Sequence, residues 1–254
     1  MHHDRLSPPR PDGEGTWRLR SDRARQVADV LRQQIADGVY GSGMLPDERI
    51  LVSEFGATRN AVREALAVLR SEGLIVRRRG VGTQVVARKY GHGLRRLSGL
   101  AETLHEQGEV VNDVRAAHPM RPPAAVADRL GLDSTTPVVY LERLRWLGGR
   151  PLSLDMTYLA EDIGTPLLRE DLRHRDVFAL IEQTSGTRLG AAELAIQAVN
   201  ADAHTAAVLE VAEGAAVFAI ERLTRLADGR PVDLEMIRIR GDRLTLHGDL
   251  HRTR

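Results

Sequence analysis

The sequence predicts two domains of different class: a small helical domain closed by a β-hairpin, then a larger α+β domain built on an antiparallel sheet. Three observations carry this. Three short apolar stripes at helical spacing, followed by a hairpin pattern, fill residues 23–86. A motif in the second half recurs once at an offset of 79 and then 80 residues. The balance of charge also changes sign near residue 90: residues 21–90 hold 12 Lys and Arg against 8 Asp and Glu, and residues 91–254 hold 20 against 24. The overall net charge of +1 conceals this step. A basic part beside an acidic one marks a domain boundary and suits a polyanionic partner for the first.

Residues 1–20 contain Pro8, Pro9, Pro11, Gly13 and Gly15 without an apolar stripe, and are expected to form a disordered tail. From Arg23, Val27, Val30, Leu31 and Ile35 fall at helical spacing, and Gly38 is placed to end the helix. Pro46 and Asp47 open a second helix carrying Ile50, Leu51 and Phe55, which Gly56 ends. Thr58 caps a third, in which Val62, Ala65, Leu66 and Leu69 form the apolar stripe and Arg59, Asn60, Arg63 and Arg70 lie on other faces. After Gly73, the run Leu74 to Arg79, the turn Gly80-Val81-Gly82 and the run Thr83 to Val86 read as a two-stranded hairpin. Three helices and a hairpin make a winged helix-turn-helix over residues 21–88. Residues 89–97, basic and glycine-containing, are expected to be a linker.

The second domain, residues 98–248, is organised by the repeat. Glu142-Arg143-Leu144, Leu147, Gly149-Arg150-Pro151 and Leu154-Asp155-Met156 recur as Glu221-Arg222-Leu223, Leu226, Gly229-Arg230-Pro231 and Leu234-Glu235-Met236. Alanine-rich helical segments, Ala124 to Leu130 and Thr205 to Val211, precede the copies, so the unit is helix, strand, turn, strand. With Val110 to Ala117 and Arg188 to Val199 as further strands, one antiparallel sheet with helices packed on it is expected.

Composition excludes several functions. The hydrophobic content of 42% and charged content of 28% are those of a globular chain. No cysteine is present, which removes disulfides, thiolate catalysis and cysteine-held metals. No apolar run reaches the roughly 20 residues that span a bilayer, and the first twenty residues lack a secretory apolar core, so a cytoplasmic protein is expected. The 9 histidines show no ligand spacing, and neither a phosphate loop nor a nucleophile elbow occurs. No metal, no cofactor and no catalytic constellation are expected.

The turn between the second and third helices would let Arg59, Asn60 and Arg63 enter a major groove, where arginine can take guanine and asparagine adenine. Arg49 suits a phosphate or base edge, and Arg77, Arg78 and Arg79 the wing. The same arginines could equally form a solvated face. Their clustering becomes specific through motifs: Leu45-Pro46-Asp47-Glu48-Arg49, Thr58-Arg59-Asn60-Ala61-Val62-Arg63-Glu64-Ala65-Leu66, Glu72-Gly73-Leu74-Ile75 and Gly80-Val81-Gly82-Thr83 resemble the GntR family of bacterial regulators over residues 24–87. The resemblance implies that Arg49, Thr58, Arg59, Asn60, Arg63, Arg79 and Gly80 approach double-stranded operator DNA, with a homodimer on a palindrome. Asn60 and Ala61 stand where Thr-Thr is common in the family.

Arg143 and Arg145, two apart on a strand, point to one face; they suit an anion, or are paired with carboxylates such as Asp155 and Asp233. Glu142-Arg143-Leu144-Arg145, Gly149-Arg150-Pro151 and Arg240-Gly241-Asp242-Arg243 resemble the UTRA domain of the HutC subfamily, whose fold is similar to chorismate lyase. That resemblance implies a small-molecule effector, anionic or sugar-like, held by Ser98, Arg143, Arg145, Asp155, Asp176 and Asp233. Asp155 and Asp233 replace glutamates, and Asp176 a serine, of amino-sugar-phosphate sensors, while Ile239 replaces a tyrosine. An effector-responsive repressor is the leading expectation. The alternatives are a small-molecule enzyme on a chorismate-lyase-like fold and an architectural DNA binder without ligand.

Overall fold

The computed structural model describes residues 14–86, 89–104 and 108–249, with residues 14–21 as helical backbone alone. The chain divides into two compact units, Met1–Arg88 and Lys89–Arg254.

In the first unit, α1 (Glu14–Ala36) packs on α3 (Arg59–Ser71), with α2 (Glu48–Phe55) beside them and the hairpin β1 (Ile75–Arg78) and β2 (Gly82–Val85) following. The core is Val27, Leu31, Ile35, Leu51, Val62, Leu66, Leu69 and Ile75. Two expectations are corrected. α1 starts at Glu14, inside the expected tail, because no Gly or Pro interrupts residues 16–36 and extending a nucleated helix costs little. Val30, expected in the stripe, is 46% exposed: the buried positions are Ala24, Val27, Ala28, Leu31 and Ile35, and Val30 falls beside that seam. Residues 1–13 lie outside the described residues.

The second unit is built on a six-stranded antiparallel sheet in the order β4-β5-β6-β9-β8-β7. Its strands are β4 (Val110–Met120), β5 (Val138–Leu147), β6 (Arg150–Ala160), β7 (Leu189–Asn200), β8 (Ala216–Leu226) and β9 (Pro231–Arg240). The repeat is longer than the sequence motif suggested: each copy is strand, helix, strand, strand, with α5 (Ala124–Leu130) after β4 and α8 (Ala203–Leu209) after β7. The copies meet at β6 and β9, where Met156 faces its own repeat counterpart, Met236. A pseudo-twofold axis therefore pierces the sheet between these two residues. One face is covered by α5 and α8 through Leu130, Leu144, Leu154, Leu209 and Leu223. The other is covered by α6 (Glu161–Leu167) and α7 (Val177–Ser185), and elsewhere by α4 (Leu100–Leu104), β3 (Tyr90–Gly93) and β10 (Leu244–His247). α6 lies directly on the sheet because it presents Gly164, whose missing Cβ would sit 2.5 Å from Val139 Cβ.

Residues 90–93, expected in the linker, instead form β3, which pairs in parallel with β10 as a separate two-stranded sheet. Tyr90 and His92 alternate inward there, a pattern too short to register among glycines. Arg243 fastens this sheet to the larger one: its guanidinium donates to the carbonyls of Leu147, Arg150 and Pro151 at 2.9 Å and to the Tyr90 hydroxyl at 3.1 Å. Gly241 precedes it because a Cβ there would lie 2.7 Å from the Ala216 carbonyl oxygen. The Arg240 to Arg243 motif is thus explained by packing.

Candidate nucleic-acid interface and ligand cavity

In the first unit, two side-chain caps set the helix-turn-helix. Asp47 accepts from the N–H groups of Arg49 and Ile50 at 2.9 Å, and Thr58 from that of Ala61 at 3.2 Å, so both helices start where the sequence places them. Gly56, at φ 53°, ends α2 in the left-handed conformation that glycine adopts without strain. Since Ala61, Val62, Ala65, Leu66 and Leu69 are buried, Arg59, Asn60 and Arg63 are left exposed at the amino end of α3, the end whose dipole favours anions. Thr58→Ala should lower the unfolding free energy of this unit by about 1 kcal/mol in urea denaturation, the usual cost of a lost cap.

Arg49, Arg59, Arg63 and Arg77 line one shallow concavity with Glu48 and Thr83. Glu48 accepts from Arg63 Nε at 2.9 Å and lies 3.6 Å from Arg77, which orients both guanidiniums without burying them: Arg63 is 61% exposed. Pairs so exposed stabilise by well under about 1 kcal/mol and exchange readily for phosphate. Arg49 and Arg59 make no ion pair among the described residues. The wing turns at Gly80, φ 77°, and Arg79 is exposed beside it.

In the second unit, the face under α6 and α7 carries buried charge. Arg143, Arg145, Asp155, Asp233 and Glu235 are each at most 4% exposed. Arg145 donates to Asp155 at 2.5 Å, and Ser153 Oγ donates to the other oxygen at 2.7 Å. Arg222 donates to Glu235 through Nε and Nη2. Both Nε and Nη1 of Arg143 and of Arg145 have no partner, and neither does either oxygen of Asp233. Burial raises Asp155, but Arg145 and Arg143 outweigh it and hold its carboxyl below the ordinary range. Asp233 is pushed well up, first by burial and then by Glu235.

A cavity of about 370 Å³ opens over this face, within the range of small-ligand sites. Ser98, Arg145 and Asp155 line it, together with Arg222, His92 and an aliphatic wall. Arg143 and Asp233 are buried on the same face but do not line it. Asp176 caps α7, accepting from Phe178 N at 2.8 Å. Among the described residues no group of three His, Asp or Glu side chains could hold a metal ion, and no helix is long and apolar enough to cross a membrane.

Comparison with known proteins decides the family. The model of the UTRA domain matches residues 106–245, and that of bacterial regulatory proteins, gntR family, matches residues 23–85. The HTH-type transcriptional regulator Rv0792c of Mycobacterium tuberculosis is 30% identical, over 90% of this chain and 86% of its own. The chain belongs to the GntR family. The HTH-type transcriptional repressor NagR of Bacillus subtilis is 27% identical, over 87% of this chain and 91% of its own. The crystal structure of PhnF from Mycobacterium smegmatis superposes with a TM-score of 0.64 at 26% identity, over 89% of this chain and all of that one. This GntR protein is therefore a DNA-binding transcription regulator rather than an enzyme, with an antiparallel UTRA domain following its helix-turn-helix in the chain.

Sequence reasoning missed two residues of the cavity wall, Arg222 and His92, and Glu235, which is buried behind the wall and pairs with Arg222. Arg222 and Glu235 were legible in the repeat, as the counterparts of Arg143 and Asp155. His92 left no signal, because its place depends on β3 pairing with β10. Its Nδ1 lies 2.8 Å from Thr103 Oγ1, which also reaches the carbonyls of Gly99 and Leu100. Burial, and then Arg222 and Arg145, push His92 down to about 4 from 6.5. A histidine neutral in the fold and protonated in the unfolded chain stabilises above pH 6.5, and that contribution is lost as pH falls towards 4. His92→Gln should therefore show a shallower fall in melting temperature across this window than wild type.

Proposed function

We propose that this regulator is an effector-responsive repressor of the HutC subfamily, acting in the cytoplasm as a homodimer on a palindromic operator. Arg49, Thr58, Arg59, Asn60, Arg63, Arg79 and Gly80 approach the DNA; Ser98, Arg143, Arg145, Asp155, Asp176 and Asp233 form or support the effector site. The observation that carries this reading is a pair of complementary features in one chain. The first unit presents exposed arginines on a capped helix, and the second encloses a cavity with unsatisfied guanidinium N–H groups. The cavity wall also takes in residues 92–98, which follow the DNA-binding unit directly in the chain. A ligand bound there acts on the segment that joins the two functions. Lowering operator affinity a hundredfold requires the ligand to prefer the released state by about 2.7 kcal/mol, within reach of one buried ion pair. The repressors among the relatives support repression as the mode of regulation.

The dimer reading is supported by β7. Among the described residues this twelve-residue edge strand pairs with β8 alone, is exposed on both faces, and carries Leu194 at 43% and Ile196 at 38% exposure. The opposite edge, β4, is blunted by Asp113, Arg115, Pro119 and a bulge, devices that prevent edge pairing. Ile196→Lys should shift the sedimenting species from dimer to monomer. Selection of bound duplexes from a random pool by the full chain should enrich an inverted repeat; recovery of single, unrepeated sites contradicts the dimeric reading.

A further inference from the structure

The mouth of the cavity lies at an edge of the six-stranded sheet. The floor is buried, with Ile220, Ile237 and Ile239 among its residues. The exposed rim has two lips: residues 93–96 on one side, and Gly190, Ala191 and Leu194 of β7 on the other. Since β7 is the last strand of the sheet, no further strand stands beyond that second lip among the described residues. Whatever pairs with this edge stands at the mouth.

The row that β7 turns to the cavity face suits a copy of itself. Ala192, Leu194, Ile196 and Ala198 lie opposite Thr224, Arg222, Ile220 and Phe218 of β8, and Arg222 and Ile220 line the cavity, so the row shares their face. It runs small, large, large, small, and is symmetric about Ala195. Two β7 strands paired antiparallel about a twofold axis at Ala195 set Leu194 against Ile196 and Ala192 against Ala198. On the opposite face the same axis sets Glu193 against Gln197, whereas an axis at Glu193 would oppose two carboxylates. The axis of such a pair is perpendicular to the sheet. The cavity face of one copy therefore continues into that of the other, and the two mouths open towards each other across the seam.

Building on the dimer and effector readings above, we propose that a second copy, paired along β7 about Ala195, closes the mouth of the cavity, so that each ligand site is completed by the apolar row of the partner. A ligand is enclosed in the dimer and open to water in the monomer. Ligand and partner share Leu194, and each strengthens the binding of the other.

The chain has no cysteine, so thiols placed one at a time test this cleanly. Ala195→Cys puts a sulfur on the axis, where facing Cα atoms about 4.5–5.5 Å apart are within disulfide reach, and mild oxidation of the full chain should give a covalent dimer. Ala203→Cys, exposed on α8, should give none. Ala192→Cys places a thiol on the wall beside the mouth. In the dimer it should react with a maleimide at least about tenfold more slowly than in the same variant carrying Ile196→Lys, because attack needs an exposed thiolate. Sedimentation of the full chain is measured alongside. A dimer whose thiol at position 192 reacts as fast as it does with Ile196→Lys overturns the closure and leaves the dimer and effector readings standing. Protection without a covalent dimer of Ala195→Cys overturns the pairing about Ala195. A full chain that is monomeric at every concentration overturns the dimer reading and this proposal with it.

Discussion

Asp155→Ala should destabilise the larger unit by about 3–5 kcal/mol, enough to unfold a marginal domain. The substitution removes the one carboxylate bonded to Arg145 among the described residues, and it leaves Arg143 and Arg145, both nearly inaccessible, together on one sheet face. Two unpaired guanidiniums in low dielectric repel one another and lose hydration together. Asp155→Asn should recover only part of the loss, since an amide keeps one acceptor for Arg145 but not the charge. Replacing the pair, as Arg145→Met with Asp155→Leu, should restore most of the stability, because well-packed apolar side chains commonly match a buried ion pair. Urea denaturation followed by Trp146 fluorescence checks all three. Equal stability of Asp155→Ala and wild type would mean that this cluster is not buried in solution.

Arg59→Ala should weaken specific DNA binding roughly fivefold to 150-fold for each half-site, corresponding to about 1–3 kcal/mol for one bidentate base contact. On a dimeric operator the loss counts twice. Arg59 occupies the first turn of α3, is exposed, and has no ion pair among the described residues to give up, so little of the effect comes from the free protein. Arg63 differs: Glu48 holds it, and binding DNA must break that pair. Its replacement by alanine should cost less than that of Arg59, and the cost should grow in a Glu48→Ala background, where no pair has to be broken. Titrations at two salt concentrations separate the contributions, because a lost phosphate contact reduces the salt slope whereas a lost base contact reduces discrimination.

The first unit was largely legible because its signals are local. Asp47 and Thr58 are cap residues immediately before apolar stripes, and a capped helix of 8 or 13 residues needs no distant partner to be located. Glycines at the turns fix the hairpin in the same way. What escaped depends on distance. β3 exists because residues 90–93 find β10 some 150 residues later, and no periodicity within four residues announces that. The cavity was half legible. Ser98, Arg145 and Asp155 were assigned to it by resemblance, while Arg222 and Glu235 were passed over although the repeat superposes them on Arg143 and Asp155. Asp233 was grouped with Asp155 as a partner for the arginines. The register instead places it opposite Thr224, next to Leu159, and the counterpart of Asp155 is Glu235.

The account stands on α3 reading a specific sequence, and fluorescence anisotropy of the full chain on the duplex upstream of its own gene tests that most directly, with scrambled duplex and Arg59→Ala as comparisons. Binding to the natural duplex should exceed binding to the scrambled one by at least about a thousandfold, weaken with salt, and show a much reduced preference in the variant. Equal, weak binding to the natural duplex, the scrambled duplex and duplexes recovered from random selection, unchanged by Arg59→Ala, would contradict it.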